Sequence, residues 1–218
     1  MLPKLLTELV GTFVFLTVIA LSGWAGPFAP LPIGVALAAM VYMGGHVSGA
    51  HYNPAVSFAL FLRRAIDSWT MVAYWGVQLA GAVLAFAAAD LISAHTPGIH
   101  PGVGVTWLQA LSAEVLFTAA LALVVLNVAA TAATAGNSYF GIAIGFTVMA
   151  GAFAVGPISG GAFNPAVGFG ATAVAALLGH GGWSDLWLYI VGPLAGAAIG
   201  AGIHLLQTSP SRRSPASS

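Results

Sequence analysis

Long apolar runs separated by short turns dominate this chain. Six of them are long enough to cross a bilayer, which takes about 20 mainly apolar residues in a helix. The predicted spans lie at about residues 4–23, 32–47, 68–92, 106–131, 138–156 and 184–206. The pattern therefore predicts an all-α membrane protein with six transmembrane helices.

Two further apolar runs are too short to span a bilayer. They cover about residues 53–62 and 164–178, and each begins with Asn-Pro-Ala after a Gly-rich turn. Asn is a good N-cap, and Pro suits the first turn of a helix, where its missing N–H is not needed. Both runs are predicted to be re-entrant half-helices that begin at Asn53 and Asn164.

The two short runs belong to repeated halves of the chain. Residues 48–59 read SGAHYNPAVSFA and residues 159–170 read SGGAFNPAVGFG, with seven of the twelve positions identical. Glu8 in the first span is matched by Glu114 in the fourth. Each half has three spans and a half-helix, and an odd number of spans inserts the second half upside down. The sequence thus predicts an inverted repeat.

The repeat also indicates the domain organisation. We predict a single membrane domain over residues 1–207, with halves at about residues 1–100 and 101–207. The Ser-, Pro- and Arg-rich segment 208–218 is predicted to be a disordered cytoplasmic tail. A signal peptide is a weaker interpretation of the first apolar run, because that run contains Glu8 and the second half repeats this feature.

The charged residues indicate the solvent around the chain and its orientation in the membrane. Only 5% of the residues are charged, against about a quarter in soluble domains, so the bilayer is the expected solvent. With the N-terminus inside, all Lys and Arg residues fall on the cytoplasmic face: Lys4, Arg63, Arg64, Arg212 and Arg213. This agrees with the positive-inside rule and predicts a protein of the plasma or inner membrane with cytoplasmic termini.

Composition argues against several classes of function. The chain has no Cys, which excludes disulfides and thiolate chemistry, and it has no basic tract to bind nucleic acid. The sequence has no phosphate-binding loop, no nucleophile paired with a base and no cluster of metal ligands. We therefore expect no enzymatic activity, no metal and no cofactor.

The turns before the half-helices have a predicted role in a pore. Residues 44–52 and 156–163 are predicted to be irregular at membrane depth, which is tolerated where backbone is buried in protein or lines a wet cavity. Their carbonyls would then offer hydrogen bonds to water or small neutral solutes. The positive ends of both half-helices would meet near the midplane and repel cations, while Asn53 and Asn164 donate to the permeating molecule.

These motifs resemble those of the aquaporin, or major intrinsic protein, family. The matching residues are Thr7-Glu8, Gly11-Thr12-Phe13, residues 46–56, Glu114, residues 159–161, Asn164-Pro165-Ala166 and residues 192–194. The resemblance implies a right-handed bundle of six spans and two half-helices, and a homotetramer with one pore in each subunit. It also implies a passive channel for water and small neutral solutes, with two pore motifs formed by Asn53, Pro54, Ala55, Asn164, Pro165 and Ala166.

The chain departs from this family at the implied selectivity filter. Most members carry Arg directly after the second Asn-Pro-Ala, whereas this chain has Val167. By their spacing from the two motifs, the other filter positions are Ile33, Ala152 and Gly161. A filter without charge, aromatic ring or side-chain donor is expected to be wide and apolar. It is expected to admit glycerol, urea, ammonia or hydrogen peroxide as well as water.

Other polar residues have predicted supporting roles. Glu8 and Glu114 are expected to accept hydrogen bonds from N–H groups of the irregular loops, although an intramembrane carboxylate can also mark an ion path. His46 and His51 are predicted to line the pore or its vestibule, with His46 a candidate pH sensor on the cytoplasmic side. His51 is also expected to brace the first loop. His204, near the inner end of the last span, suggests no role.

Two other classes of membrane protein fit parts of this pattern. Inverted repeats with broken helices also build secondary transporters, in which Glu8 and Glu114 would be the candidate coupling groups. A structural membrane protein that no longer conducts is the other alternative, since an apolar filter can exclude water.

Overall fold

The fold is a bundle of helices, seen in a computed structural model that describes residues 1–94 and 98–209. Within those ranges the chain has eight α-helices and no strand. The helices are α1 (Leu2–Leu21), α2 (Pro30–Ser48), α3 (Pro54–Leu62), α4 (Ser68–Ser93), α5 (Trp107–Ala129), α6 (Phe140–Ser159), α7 (Pro165–Leu177) and α8 (Leu186–Thr208). Short 3-10 segments lie at Ser22–Phe28 and Ala132–Thr134.

Six of the described helices, all except α3 and α7, are long and apolar enough to cross a membrane. The helices α3 and α7 have 9 and 13 residues, fewer than the roughly 20 that a span requires. The prediction of six spans and two half-helices is therefore confirmed. The predicted tail at 208–218 lies outside the described residues, apart from Thr208, which ends α8, and Ser209.

The helices before the half-helices end later than the sequence predicts. Irregular backbone was expected from Gly44 and Gly156, but α2 and α6 continue through both residues, so this expectation is wrong. In apolar surroundings no water competes for the helical hydrogen bonds, so a glycine alone does not end a helix. Both helices end instead at a left-handed glycine, Gly49 and Gly160, each with φ of 91°.

Equivalent helix pairs in the two halves cross closely at glycines. A Cβ on Gly81 of α4 would lie 2.8 Å from the carbonyl oxygen of Leu9 in α1. In the second half, a Cβ on Gly196 of α8 would lie still closer to the carbonyl oxygen of Val115 in α5. Small residues let membrane helices approach to this distance, so each half builds the same crossing.

Glycines also join one half to the other. A Cβ on Gly34 of α2 would lie 2.7 Å from the carbonyl oxygen of Gly145 in α6. A Cβ on Gly170 of α7 would lie 2.9 Å from the Cβ of Ala82 in α4. The second half-helix is thus packed directly against a span of the first half, which fixes its position in the bundle.

The outside of the bundle is apolar. Val35, Leu84 and Leu116 are more than half exposed along their spans, and Trp24 and Trp69 are exposed at helix ends. Aliphatic side chains are stable against lipid tails, and indole rings favour the headgroup level. With six spans and this surface, the chain is an integral membrane protein.

Candidate channel pore

The two half-helices begin at asparagines that cap their first turns. The side-chain oxygen of Asn53 accepts a hydrogen bond from the Ala55 N–H at 2.8 Å. The oxygen of Asn164 accepts one from the Ala166 N–H at 2.9 Å. Because each oxygen turns back to its own helix, each amide nitrogen is left to donate elsewhere.

The amide nitrogen of each asparagine bonds to the other half of the protein. Asn53 Nδ2 donates to the Phe163 carbonyl at 2.9 Å, and Asn164 Nδ2 donates to the Tyr52 carbonyl at 3.0 Å. Both side chains are buried and line one cavity. An amide has two N–H groups, and the described residues offer no acceptor for the second one. Each asparagine can therefore donate to a molecule in the cavity.

Glu8 fastens the loop before α3. Its Oε1 accepts hydrogen bonds from Ser48 Oγ at 2.7 Å and from the His51 N–H at 2.9 Å. Its Oε2 accepts from the Tyr52 N–H at 2.7 Å and from Gln78 Nε2 at 2.9 Å. The side chain is fully buried, so these four donors replace the water that a carboxylate needs.

Glu114 makes the equivalent contacts in the second half. Its Oε1 accepts from Ser159 Oγ at 2.7 Å and from the Ala162 N–H at 3.0 Å. Its Oε2 accepts from the Phe163 N–H at 2.7 Å. Neither this carboxylate nor that of Glu8 lines the cavity. Both are committed to the loops, and this arrangement does not favour ion coupling.

The carboxylates stabilise an unusual backbone conformation. In the first loop Ala50 and Tyr52 have φ of 52° and 48°, and in the second loop Gly161 and Phe163 have φ of 66° and 49°. A residue other than glycine loses about 1–2 kcal/mol in this left-handed region. The hydrogen bonds to the glutamates offset that cost and hold the loops in this form.

Six loop carbonyls accept no hydrogen bond from the described residues. They belong to Gly49, Ala50, His51, Gly160, Gly161 and Ala162. All six residues line the cavity. Since a carbonyl that no protein donor reaches can bond to water, these groups favour water or a hydrogen-bonding solute inside the cavity. The two loops thus supply a row of acceptors on either side of the asparagine pair.

The rest of the cavity wall is mainly apolar. The cavity has a volume of about 590 Å³. Helices α1, α2, α5 and α6 contribute apolar side chains to it, namely Phe15, Ile19, Leu37, Leu121, Val125, Ile144 and Val148. A solute inside therefore has hydrogen-bonding groups on the half-helix side and hydrocarbon on the others.

The four residues of the implied filter line this same cavity. Ile33 comes from α2, Ala152 from α6, Gly161 from the second loop and Val167 from α7. A Cβ on Gly161 would lie 3.7 Å from the Ala152 Cα, so the loop packs directly against α6 at this point. None of the four side chains carries a charge, a ring or a hydrogen-bond donor.

His51 lies in the cavity wall and is held by a chain of hydrogen bonds. Gln78 Nε2 donates both to Glu8 and to Ser57 Oγ, at 2.9 and 3.1 Å. The hydroxyl proton of Ser57 is then available for His51 Nδ1, which lies 3.0 Å away. When Ser57 donates to Nδ1, the ring N–H is on the other nitrogen, Nε2. In that tautomer His51 adds a donor to the cavity wall.

His46 is placed differently. It lies in the last turn of α2, is exposed, and does not belong to the cavity wall. Its role in a vestibule stays a prediction.

His204 is the residue that sequence reasoning missed. Its side chain is only 3% exposed, and its Nδ1 accepts a hydrogen bond from Arg63 Nε at 2.8 Å. Its Nε2 lies 2.7 Å from Thr131 Oγ. His204 and Arg63 are 141 positions apart. The sequence indicates only that both lie at the same face of the membrane.

The six spans, the half-helices that meet at an asparagine pair and the cavity between them define a transmembrane channel protein. The chain belongs to the Major intrinsic protein family, whose sequence profile matches residues 1–204. The expected function, a passive channel for water and small solutes, is confirmed by this membership together with the fold.

Individual relatives agree with this assignment. The chain is 34% identical over 212 residues to "Probable aquaporin NIP4-2" of Arabidopsis thaliana, covering 92% of this chain and 73% of that protein. It is 32% identical over 213 residues to "Aquaporin NIP1-1" of Zea mays, with the same two coverages. The X-ray structure of the aquaglyceroporin from Plasmodium falciparum has a similar fold, with a TM-score of 0.82 at 21% identity, covering 93% of this chain and 95% of that one.

Proposed function

We propose that this channel passes small uncharged solutes as well as water, with glycerol, urea, ammonia and hydrogen peroxide as candidates. The observation that carries the proposal is Val167, which occupies the position where most of the family has Arg. Its side chain is 3% exposed and lines the cavity. An uncharged, shorter side chain there leaves more room and removes a strong donor that would select for water.

Two effects of an apolar filter oppose each other. Ile33 and Val167 raise the cost for a solute of shedding its water, and a narrow apolar constriction can empty of water. Gly161 and Ala152 add little bulk, and Gly161 is one of the six loop residues whose carbonyls accept no hydrogen bond from the described residues. These carbonyls are available to bond to water in the cavity. We therefore infer that the cavity stays hydrated and that the width of the filter decides which solutes pass.

The asparagine pair is proposed to exclude ions. Each half-helix N-terminus carries about half a positive charge, and Asn53 and Asn164 each keep one N–H for the cavity. A water molecule that accepts from both asparagines has no lone pair left to take a proton from its neighbour. Glu8 and Glu114, which would attract cations, are bonded to the loops and lie outside the cavity wall.

The solute range can be measured in proteoliposomes by stopped-flow light scattering with sucrose, glycerol or urea as osmolyte. We expect fast water flow, followed by reswelling with glycerol and urea but not with sucrose. Val167→Arg is expected to abolish reswelling while water still passes. Val167→Leu is the control, because it enlarges the side chain without adding a charge. Exclusion of glycerol and urea as complete as that of sucrose would contradict the proposal. Water flow no faster than in empty liposomes would favour a non-conducting structural protein.

Assembly and orientation are also part of the proposal. We infer a homotetramer in the plasma or inner membrane, built from one channel domain at residues 1–207 with halves at about 1–100 and 101–207. We also infer that both termini lie in the cytoplasm, because that orientation puts all Lys and Arg inside. Light scattering of the detergent-solubilised protein tests the tetramer, and protease accessibility in vesicles tests the orientation.

A further inference from the structure

We propose that His204 positions the first half-helix through Arg63, and that it does so only as a neutral imidazole. Acidification at the membrane face where both residues lie then lowers the permeability of the channel. The inference rests on the conducting function proposed above. It concerns the end of α3 that lies furthest from the asparagine pair.

Arg63 fastens the end of α3 to the end of α8. It is the C-cap residue of this 9-residue helix. Its Nε donates to His204 Nδ1 at 2.8 Å, and its Nη2 donates to Thr208 Oγ at 3.2 Å. Both acceptors belong to the last part of α8. The second half-helix, α7, has 13 residues, and its C-cap residue Leu178 has no such side-chain anchor among the described residues.

The contacts define one protonation state of the ring. A guanidinium only donates hydrogen bonds, so His204 Nδ1 must be the acceptor. The ring proton is then on Nε2, which lies 2.7 Å from Thr131 Oγ. Thr131 gives its own hydroxyl proton to the Leu126 carbonyl at 2.8 Å, so its oxygen can accept from the ring. All these roles are consistent with neutral His204 and with no other form.

A proton on Nδ1 would break this arrangement. Two donors, and two positive charges, would then face each other at hydrogen-bond distance, which is strongly unfavourable at a buried site. Arg63 is the charged group that contacts the ring. Helix α5 and the loop after it contact the end of α8 through Asn127 and Thr131, neither of which titrates. Helix α7 has no titratable side chain. No carboxylate among the described residues is bonded to the ring or to Arg63 to offset the added charge.

The anchor is connected to the pore through a short, stiff helix. Nine helical residues span about 14 Å, and the other end of α3 carries Asn53, which bonds to Phe163 of the opposite half. That end is also held by Trp75 Nε1, which donates to the Pro54 carbonyl at 2.9 Å. Release of Arg63 therefore leaves α3 held at one end only, and a tilt of this short helix changes the direction in which Asn53 presents its amide, without unfolding the bundle.

The test is the water permeability of proteoliposomes with equal pH on both sides, measured from pH 8 to pH 5. We expect the wild type to lose permeability by about threefold or more through a single-proton transition. His204→Asn keeps one acceptor and one donor but cannot be protonated, so its profile should be flat. His180→Asn, which changes an exposed histidine in the loop between α7 and α8, should keep the wild-type profile.

A second variant covers the case in which His204→Asn does not fold. Arg63→Gln offers a donor to the neutral ring and, after rotation of its amide, an acceptor to the protonated ring, so its profile should also be flat. A flat wild-type profile, or an unchanged pH response in either variant, would overturn the inference. Permeability at pH 8 no higher than in empty liposomes would instead refute the proposed function.

Discussion

Asn53 and Asn164 are joined reciprocally, since the amide of each donates to the carbonyl of the residue just before the other. The helix cap of one half is thereby tied to the loop of the other half. Because each asparagine oxygen is used inside its own helix, the orientation of both amides is fixed. The pair therefore presents donors, and not acceptors, at the point where the half-helices meet.

The first prediction concerns this pair. Asn53→Asp keeps the oxygen that caps α3 but cannot donate to the Phe163 carbonyl as a carboxylate, and it adds a negative charge beside the cavity. We expect a cation leak in proteoliposomes that rises by about tenfold or more, since the barrier to cations is electrostatic. Sodium and proton fluxes measured with entrapped dyes report it.

The control for this prediction is Asn127→Asp, which makes the same change at a residue that bonds to Leu123 and Gln207 away from the cavity. It should leave cation flux at the wild-type level. Equal cation flux in Asn53→Asp and the wild type would show that the pair is not the barrier.

The second prediction concerns the buried carboxylates. Glu8 accepts four hydrogen bonds, two at each carboxylate oxygen. Glu8→Gln replaces one of these oxygens by an NH₂ group, which cannot accept and would face hydrogen-bond donors. Hydrogen bonds to charged groups contribute about 1.5–3 kcal/mol each. We expect a clear fall in the melting temperature of the detergent-solubilised protein. The fall should be larger than for Glu114→Gln, which affects three hydrogen bonds.

The same variants separate a channel from a secondary transporter. In a transporter coupled through these groups, substitution would abolish gradient-driven accumulation while the fold stayed intact. In a channel, no accumulation occurs in the wild type, and the variants lose stability. Proton-driven accumulation of solute by the wild type would therefore contradict the role assigned here to both glutamates.

How far the sequence predicts this site depends on how local each feature is. The caps at Asn53 and Asn164 are local, because Asn followed by Pro specifies a helix start on its own. The irregular loops start later than the sequence predicts, because glycine disfavours a helix in water much more than in lipid. The contact between Arg63 and His204 joins α3 to α8 and could not be predicted, because no local pattern specifies which side chains meet at a helix end.

The third prediction tests the close helix crossings. Gly196→Ala places a methyl group against the Val115 carbonyl, and overpacking of this kind costs about 1–3 kcal/mol. Gly202→Ala lies in the same helix with no atom within 4 Å of the added methyl group. We expect Gly196→Ala to lower the melting temperature and Gly202→Ala to leave it unchanged or slightly higher. Equal melting temperatures would mean that α5 and α8 can separate without cost.

The last prediction locates the filter with a thiol-specific probe. The chain contains no cysteine, and mercury(II) blocks pores by binding thiolates, so wild-type water permeability should be insensitive to mercuric chloride. Ala152→Cys places a thiol in the cavity wall beside Gly161. Permeability of this variant should fall by about fivefold or more with mercuric chloride and recover with excess thiol reductant.

The control for this prediction is Gly202→Cys, at an exposed site on α8, which should stay permeable to water in mercuric chloride. Inhibition of both variants alike would indicate a general effect of mercury on the protein, whereas insensitivity of Ala152→Cys would place residue 152 away from the narrowest part of the path.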